Sequence, residues 1–272
     1  MKPNFDRLSF IPEIKDALKS SFRNDHSCNP TPPLFVTLPE SVELEYLMNG
    51  LCDELEECDC VSFTGDRRWL NFRLEYSEGK DFPSFSLMLK CLHRHAGYRN
   101  DFSGVVRIDL TEWVDHADDP KLSAVHAFIH DYSDCIFFII SVTSNEPECA
   151  DALKKATTKW MYTVIADASS PTVEALTQFV SDKLSASGHQ LTNEARELLT
   201  DSITTLSRQI HFAGMRQIES LSAAILAEIG DVEEIDANHL SAFASDSDWI
   251  QSCLDDEEIT IGFTGGGTNA RH

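Results

Sequence analysis

Two kinds of apolar pattern divide the chain. At residues 11–23, Ile11, Ile14, Leu18 and Phe22 recur at intervals of three and four, which places them on one face of a short helix. The stretch that follows, Asn24–Pro33 (NDHSCNPTPP), carries three prolines that oppose helix and favour an extended linker, so a boundary is expected near residue 33. From residue 34 the rhythm changes to short β-rich runs at 34–37 (LFVT), 61–64 (VSFT), 105–110 (VVRIDL), 136–142 (IFFIISV) and 161–165 (MYTVI). Segments with helical periodicity separate them, at 40–56, 82–95, 121–132 and 148–158. This alternation predicts βαβ units and a parallel sheet covered by helices on both faces.

Beyond Ser170 the β-rich runs cease. Residues 170–188 predict a helix capped by Ser170, with Pro171 at its first position and Gly188 as its stop. Further helices are expected at 191–207 and 215–229, and a possible fourth within 236–254. The expected organisation is an N-terminal helix and linker (1–33), an α/β core (34–169), a small helical domain (170–254) and a polar, glycine-rich tail (255–272) expected to be disordered.

Composition narrows the function classes. Twenty-two basic against 45 acidic side chains give a formal charge of −23, which argues against a general binder of nucleic-acid backbone. The longest apolar run, Cys135–Ile140, spans six residues, far short of the roughly 20 a membrane helix needs. Eight cysteines in 272 residues are too few for a disulfide scaffold, and the N-terminus shows no signal-peptide pattern, so a cytoplasmic location is expected.

Five strands in this rhythm followed by a compact helical unit resemble the ATPase core and lid of AAA+ proteins over about residues 34–243. The resemblance implies a five-stranded parallel core sheet flanked by helices and an all-α lid. It is incomplete where it would matter most. The segment Leu34–Glu45 (LFVTLPESVELE) has the strand and the following helix but none of the glycines, lysine or hydroxyl of GxxxxGK[ST]. Those residues are needed because glycines let successive N–H groups face the phosphates, the lysine neutralises them, and the hydroxyl binds Mg²⁺. In their place Thr37 and Glu40 form a capping-box candidate around Pro39, with Glu43 beside them. The expectation is that carboxylates take the positive end of the helix where a phosphate would lie; the plainer alternative is an ordinary capped helix.

Three further residues match the resemblance. Asp109 ends VVRIDL where a Mg²⁺-binding Asp would stand, but Leu110 replaces the Glu that would activate water; a turn or helix cap is the alternative role. Asn145 matches the polar residue that senses the terminal phosphate, and Asn145-Glu146-Pro147 also reads as a turn. Arg216, after Gly214 in FAGMRQIESL, matches the lid arginine and could equally pair with a carboxylate. No arginine lies between Arg107 and Arg196, so the finger that one subunit lends to its neighbour is missing or replaced.

Other constellations are weaker. Gly79-Lys80 lacks the first glycine and the hydroxyl of a phosphate loop, and Cys52, Cys58 and Cys60 with His93 and His95 lack zinc-site spacing. The short basic segment 93–99 (HRHAGYR) reads as a solvated helix end. The sequence therefore points to a non-hydrolysing AAA+-like adaptor or assembly subunit without a cofactor. Its partner would be a protein with a basic surface, with no direct nucleic acid or membrane contact, in a possible homo- or hetero-oligomer. The alternatives are an ATP- and Mg²⁺-binding switch using Asp109, Asn145 and Arg216, or an acidic α/β interaction module whose likeness is architectural only.

Overall fold

The structure is a computed structural model and describes residues 4–22, 31–61, 63, 67–95, 103–208, 214–230 and 232–255. It divides into two compact units, Met1–Ala175 and Leu176–His272.

The first unit is built on five parallel strands: β1 (Leu34–Leu38), β2 (Trp69–Arg73), β3 (Gly104–Asp109), β4 (Ile136–Thr143) and β5 (Val164–Asp167), in the order β2-β3-β4-β1-β5. Their registers pair Val36 with Ser141 and Ala166, and Asp109 with Ser141 and Arg73. Strands β1, β3 and β4 are buried along nearly their whole length, which explains their near-continuous apolar sequences. On one face Phe35, Val106, Ile108, Phe138 and Ile140 join one core with residues of α3 (Pro83–His95), α4 (Leu122–Tyr132) and α5 (Asp151–Trp160). Trp113 lies fully buried in that core and donates Nε1–H to the Leu74 carbonyl at 2.6 Å.

Helix α1 (Pro12–Ser21) packs against β1 and β5, and the ring of Phe22 sits 5.3 Å from that of Phe137. The N-terminal helix thus belongs to the first unit. Helix α2 (Leu44–Glu57) anchors the chain start through Glu54, which accepts the backbone N–H groups of Phe5 at 3.1 Å and Arg7 at 3.0 Å.

The second unit contains α6 from Leu176 onward (the helix runs Val173–Ala186), α7 (Asn193–Ser207), α8 (Gly214–Ile229) and α9 (Asp248–Asp255). Arg196 of α7 holds α6 through Gln178 at 3.1 Å and Ser181 at 2.7 Å.

Several expectations need correction. The second strand is Trp69–Arg73, not 61–64, of which residues 62 and 64 lie outside the described residues. Its reading WLNFR hides the strand because Asn71 and Arg73 share the face that carries polar groups on β3. The fifth strand starts at Val164 because Met161, in extended backbone, is drawn into the core first. Strands do not cease after Ser170: β6 (Gln190–Leu191) and β7 (Glu234–Ile235) pair in parallel, too short to leave a periodic signal. Helix α6 is capped by Thr172, whose Oγ1 accepts the Ala175 N–H at 3.2 Å, while Ser170 is hydrogen-bonded to Ser41 at 2.8 Å. The tail beyond residue 255 lies outside the described residues.

His126 of α4 is buried, with Nε2 3.3 Å from Thr157 Oγ1 and Nδ1 without a partner. Burial holds its pKa down at about 4. A folded-state value below the unfolded one means that the unfolded chain takes up the proton first as pH falls. Stability should therefore drop between about pH 6.5 and pH 4, by roughly 2–3 kcal/mol from this residue. Urea denaturation at pH 7.5 and 4.5 checks this: His126→Gln should narrow the difference between the two pH values, and an unchanged difference would count against it.

Candidate functional site

In an open parallel sheet the carboxyl ends of the strands form the edge at which ligands bind. Here that edge gathers the β1–α2 turn, Asp109 at the end of β3 and Asn145 just beyond β4.

The β1–α2 turn is closed on itself. The Val42 N–H donates to the Pro39 carbonyl at 3.1 Å, making a tight main-chain turn at Pro39–Val42. The Glu40 N–H donates to Oδ1 of Asn145 at 3.4 Å, bridging positions 105 residues apart. Ser144 N–H donates to the Leu38 carbonyl at 2.8 Å, which extends the β1–β4 pairing and brings Asn145 over the turn. The expected capping box is not formed. Thr37 lies inside β1 with its hydroxyl buried and without a partner, and α2 begins only at Leu44. Glu43 occupies the N-cap position without a side-chain capping bond, and Glu45 lies in the first turn. Carboxylates therefore do stand at the positive end of α2, but not by the route the sequence suggested.

Asp109 is buried and fully engaged. Oδ2 accepts Arg107 Nη2 at 3.1 Å, and Oδ1 accepts both the backbone N–H of Thr111 at 2.9 Å and its hydroxyl at 2.5 Å. Thr111 Oγ1 in turn accepts the Thr143 N–H at 2.9 Å, so the network joins the ends of β3 and β4. Arg107, also buried, donates Nη1–H to Asn71 Oδ1 at 2.9 Å and leaves Nε without a partner. Burial pulls the Arg107 pKa down and Asp109 opposes the shift, as expected for a guanidinium in a dry site. Glu112, the nearest alternative acid, is held by Arg73 at 2.9 Å and by the Tyr76 N–H at 3.1 Å.

The site residues expected from the sequence thus fall into two groups. Asp109 and Asn145 both lie on the first unit's strand-end edge, each tied into hydrogen bonds within that unit. Arg216 is exposed in the first turn of α8 in the second unit. Sequence reasoning missed Arg107, Thr111 and Thr143. A usable signal existed for Arg107, a lone cation inside the apolar run VVRIDL.

A nucleotide with Mg²⁺ needs several amides aimed at one point, a cation for the phosphates and carboxylate oxygens free to ligate metal. In this arrangement two of the turn's amides are engaged, Asp109 is filled by internal donors, and the side chains at the helix start are acidic; the residues do not fit that group. Among the described residues no cluster of three or more His, Cys, Asp or Glu could hold a metal ion, and no helix is long and apolar enough to cross a membrane. The side chains of His93 and His95, and residues 96–99, lie outside the described residues. Gly79 adopts a positive φ of 91° in an exposed bend before α3.

No family model matches the chain, and no curated protein does. Among solved structures, it is similar to the DNA clamp loader delta protein of Bacillus subtilis, at 14% identity and a TM-score of 0.45, covering 83% of this chain and 60% of that one. A RuvB mutant of Thermotoga maritima matches at 12% identity and a TM-score of 0.46, covering 85% of this chain and 68% of that one. Domain III of the Thermotoga maritima replication initiation protein DnaA matches at 12% identity and a TM-score of 0.41, over 89% and 95% of the two chains. The chain spans under two thirds of the clamp loader protein's length. Identities this low carry nothing about activity, and at these TM-scores the fold rests on the sheet itself. That sheet, five parallel strands with flanking helices and followed by a helical unit, is the arrangement the sequence resemblance implies.

The buried pair gives a direct test. Removing one partner leaves an uncompensated charge, so Asp109→Ala should destabilise the protein by about 3–5 kcal/mol in nucleotide-free buffer. The double change Arg107→Met with Asp109→Leu should recover most of that loss. Urea unfolding reads both, and a stability-neutral Asp109→Ala would mean that the carboxylate is held in reserve for a ligand.

Proposed function

We propose that this chain is a non-hydrolysing AAA+-like subunit that works through protein–protein contacts, as an adaptor or assembly component. The observation that carries this reading is the bond from the Glu40 N–H to Asn145 Oδ1. A residue matching a phosphate sensor here satisfies the very turn from which phosphate-binding amides would have to point. Asp109 adds to it: both of its oxygens serve Arg107 and Thr111, and Leu110 offers no base to activate water. The charge of −23 supports a partner with a basic surface, since a strong single-sign field speeds encounter and selects complementary partners. On this reading the protein needs no bound nucleotide.

Isothermal titration of the full chain with ATP and Mg²⁺ should give no binding heat at micromolar to millimolar nucleotide. Micromolar binding abolished by Arg216→Ala would sink the proposal and favour a nucleotide switch instead. Complexes recovered by affinity capture should weaken as salt rises, because exposed charges are screened beyond about 10 Å at 0.1 M ionic strength. Capture that is indifferent to salt would remove the case for a basic partner.

A further inference from the structure

The opposite edge of the same sheet has a different character. Helix α5 runs toward the amino end of β5, away from the strand ends that hold Asp109 and Asn145. At its exit Met161 is in extended backbone and packs against the core, so Tyr162 after it is turned outward, and Trp160, the last residue of α5, is exposed as well. Trp160 is 57% exposed, its ring 5.8 Å from His126, and Tyr162 is 78% exposed. Exposed rings of this size, two residues apart in the chain, are a feature of contact surfaces.

The surrounding charge is also out of character for the chain. Lys155 and Lys159 stand one helical turn apart on α5 and are exposed. Neither has an ion pair among the described residues. The acids nearest in sequence, Asp151 and Asp167, are both engaged by the buried Lys154, at 3.2 Å and 2.7 Å. A protein of net charge −23 thus presents, within eight residues of chain, two exposed lysines without an ion pair among the described residues and two exposed aromatic rings.

From this we infer that the end of α5 is a second docking surface, one that offers positive charge, and that its occupant is an acidic peptide segment bearing apolar side chains. Carboxylates of the segment pair with Lys155 and Lys159, and its apolar side chains cover Trp160 and Tyr162. Single-stranded nucleic acid is the weaker occupant. Its affinity accumulates over several phosphate contacts, and two lysines on a strongly acidic protein supply too few. The inference goes beyond the adaptor reading and stands whether or not nucleotide binds.

Fluorescence anisotropy of the full chain with a labelled peptide of about twelve residues, glutamates alternating with leucine and phenylalanine, tests it. Binding should weaken with salt and fall at least about tenfold in Tyr162→Ser and in the double variant Lys155→Glu with Lys159→Glu. All three sites are exposed, so these variants keep the fold; Trp160→Ala should show a similar loss. No binding, binding unmoved by these variants, equal binding of the same peptide with lysine for glutamate, or tighter binding of a single-stranded oligonucleotide each overturns the inference.

Discussion

A guanidinium and a carboxylate buried side by side in a central strand constrain everything at the strand-end edge. Taking each ion out of water costs several kcal/mol, and the mutual attraction of Arg107 and Asp109 offsets that only with help from groups that satisfy most of what remains, Arg107 Nε excepted. Asn71 does so from the edge strand and Thr111 from the turn after β3. The pair therefore fixes more than itself. It holds β2 in register, sets the turn at Leu110–Thr111, and through the Thr111 hydroxyl fastens the end of β4. Asn145 leaves β4 two residues later in a position to reach Glu40.

That chain of contacts gives the two edges of the sheet different characters. At the carboxyl edge the polar groups are largely turned on one another, and the turn after β1 is closed by a main-chain bond and by Asn145. At the amino edge, by the end of α5, aromatic surface and two lysines face solvent.

Most of the fold was legible because burial writes itself into sequence. Strands β1, β3 and β4 lie under helices on both faces, so nearly every position is apolar and the runs stand out. The amphipathic helices of both units were legible for the same reason, since one face of each must be buried. Strand β2 was not, because Asn71, which pairs with Arg107, and Arg73, which pairs with Glu112, make its sequence look polar. The β6–β7 pair was not, because two residues cannot display a period.

The sequence alone determined the class of the molecule: an acidic chain, an α/β sheet and helical unit, and a turn after the first strand without glycines or lysine. It also picked out Asp109 and Asn145 as the polar residues at the strand ends. It left open what they do, because spacing alone does not say which groups reach them: Arg107 and Thr111, each only two residues from Asp109, are brought onto it by strand pleating and by a turn, and Glu40 meets Asn145 across 105 positions. Tertiary structure decided those roles, since a buried polar group takes its function from whichever donors and acceptors packing places within about 3 Å of it, and one-dimensional spacing does not carry that distance.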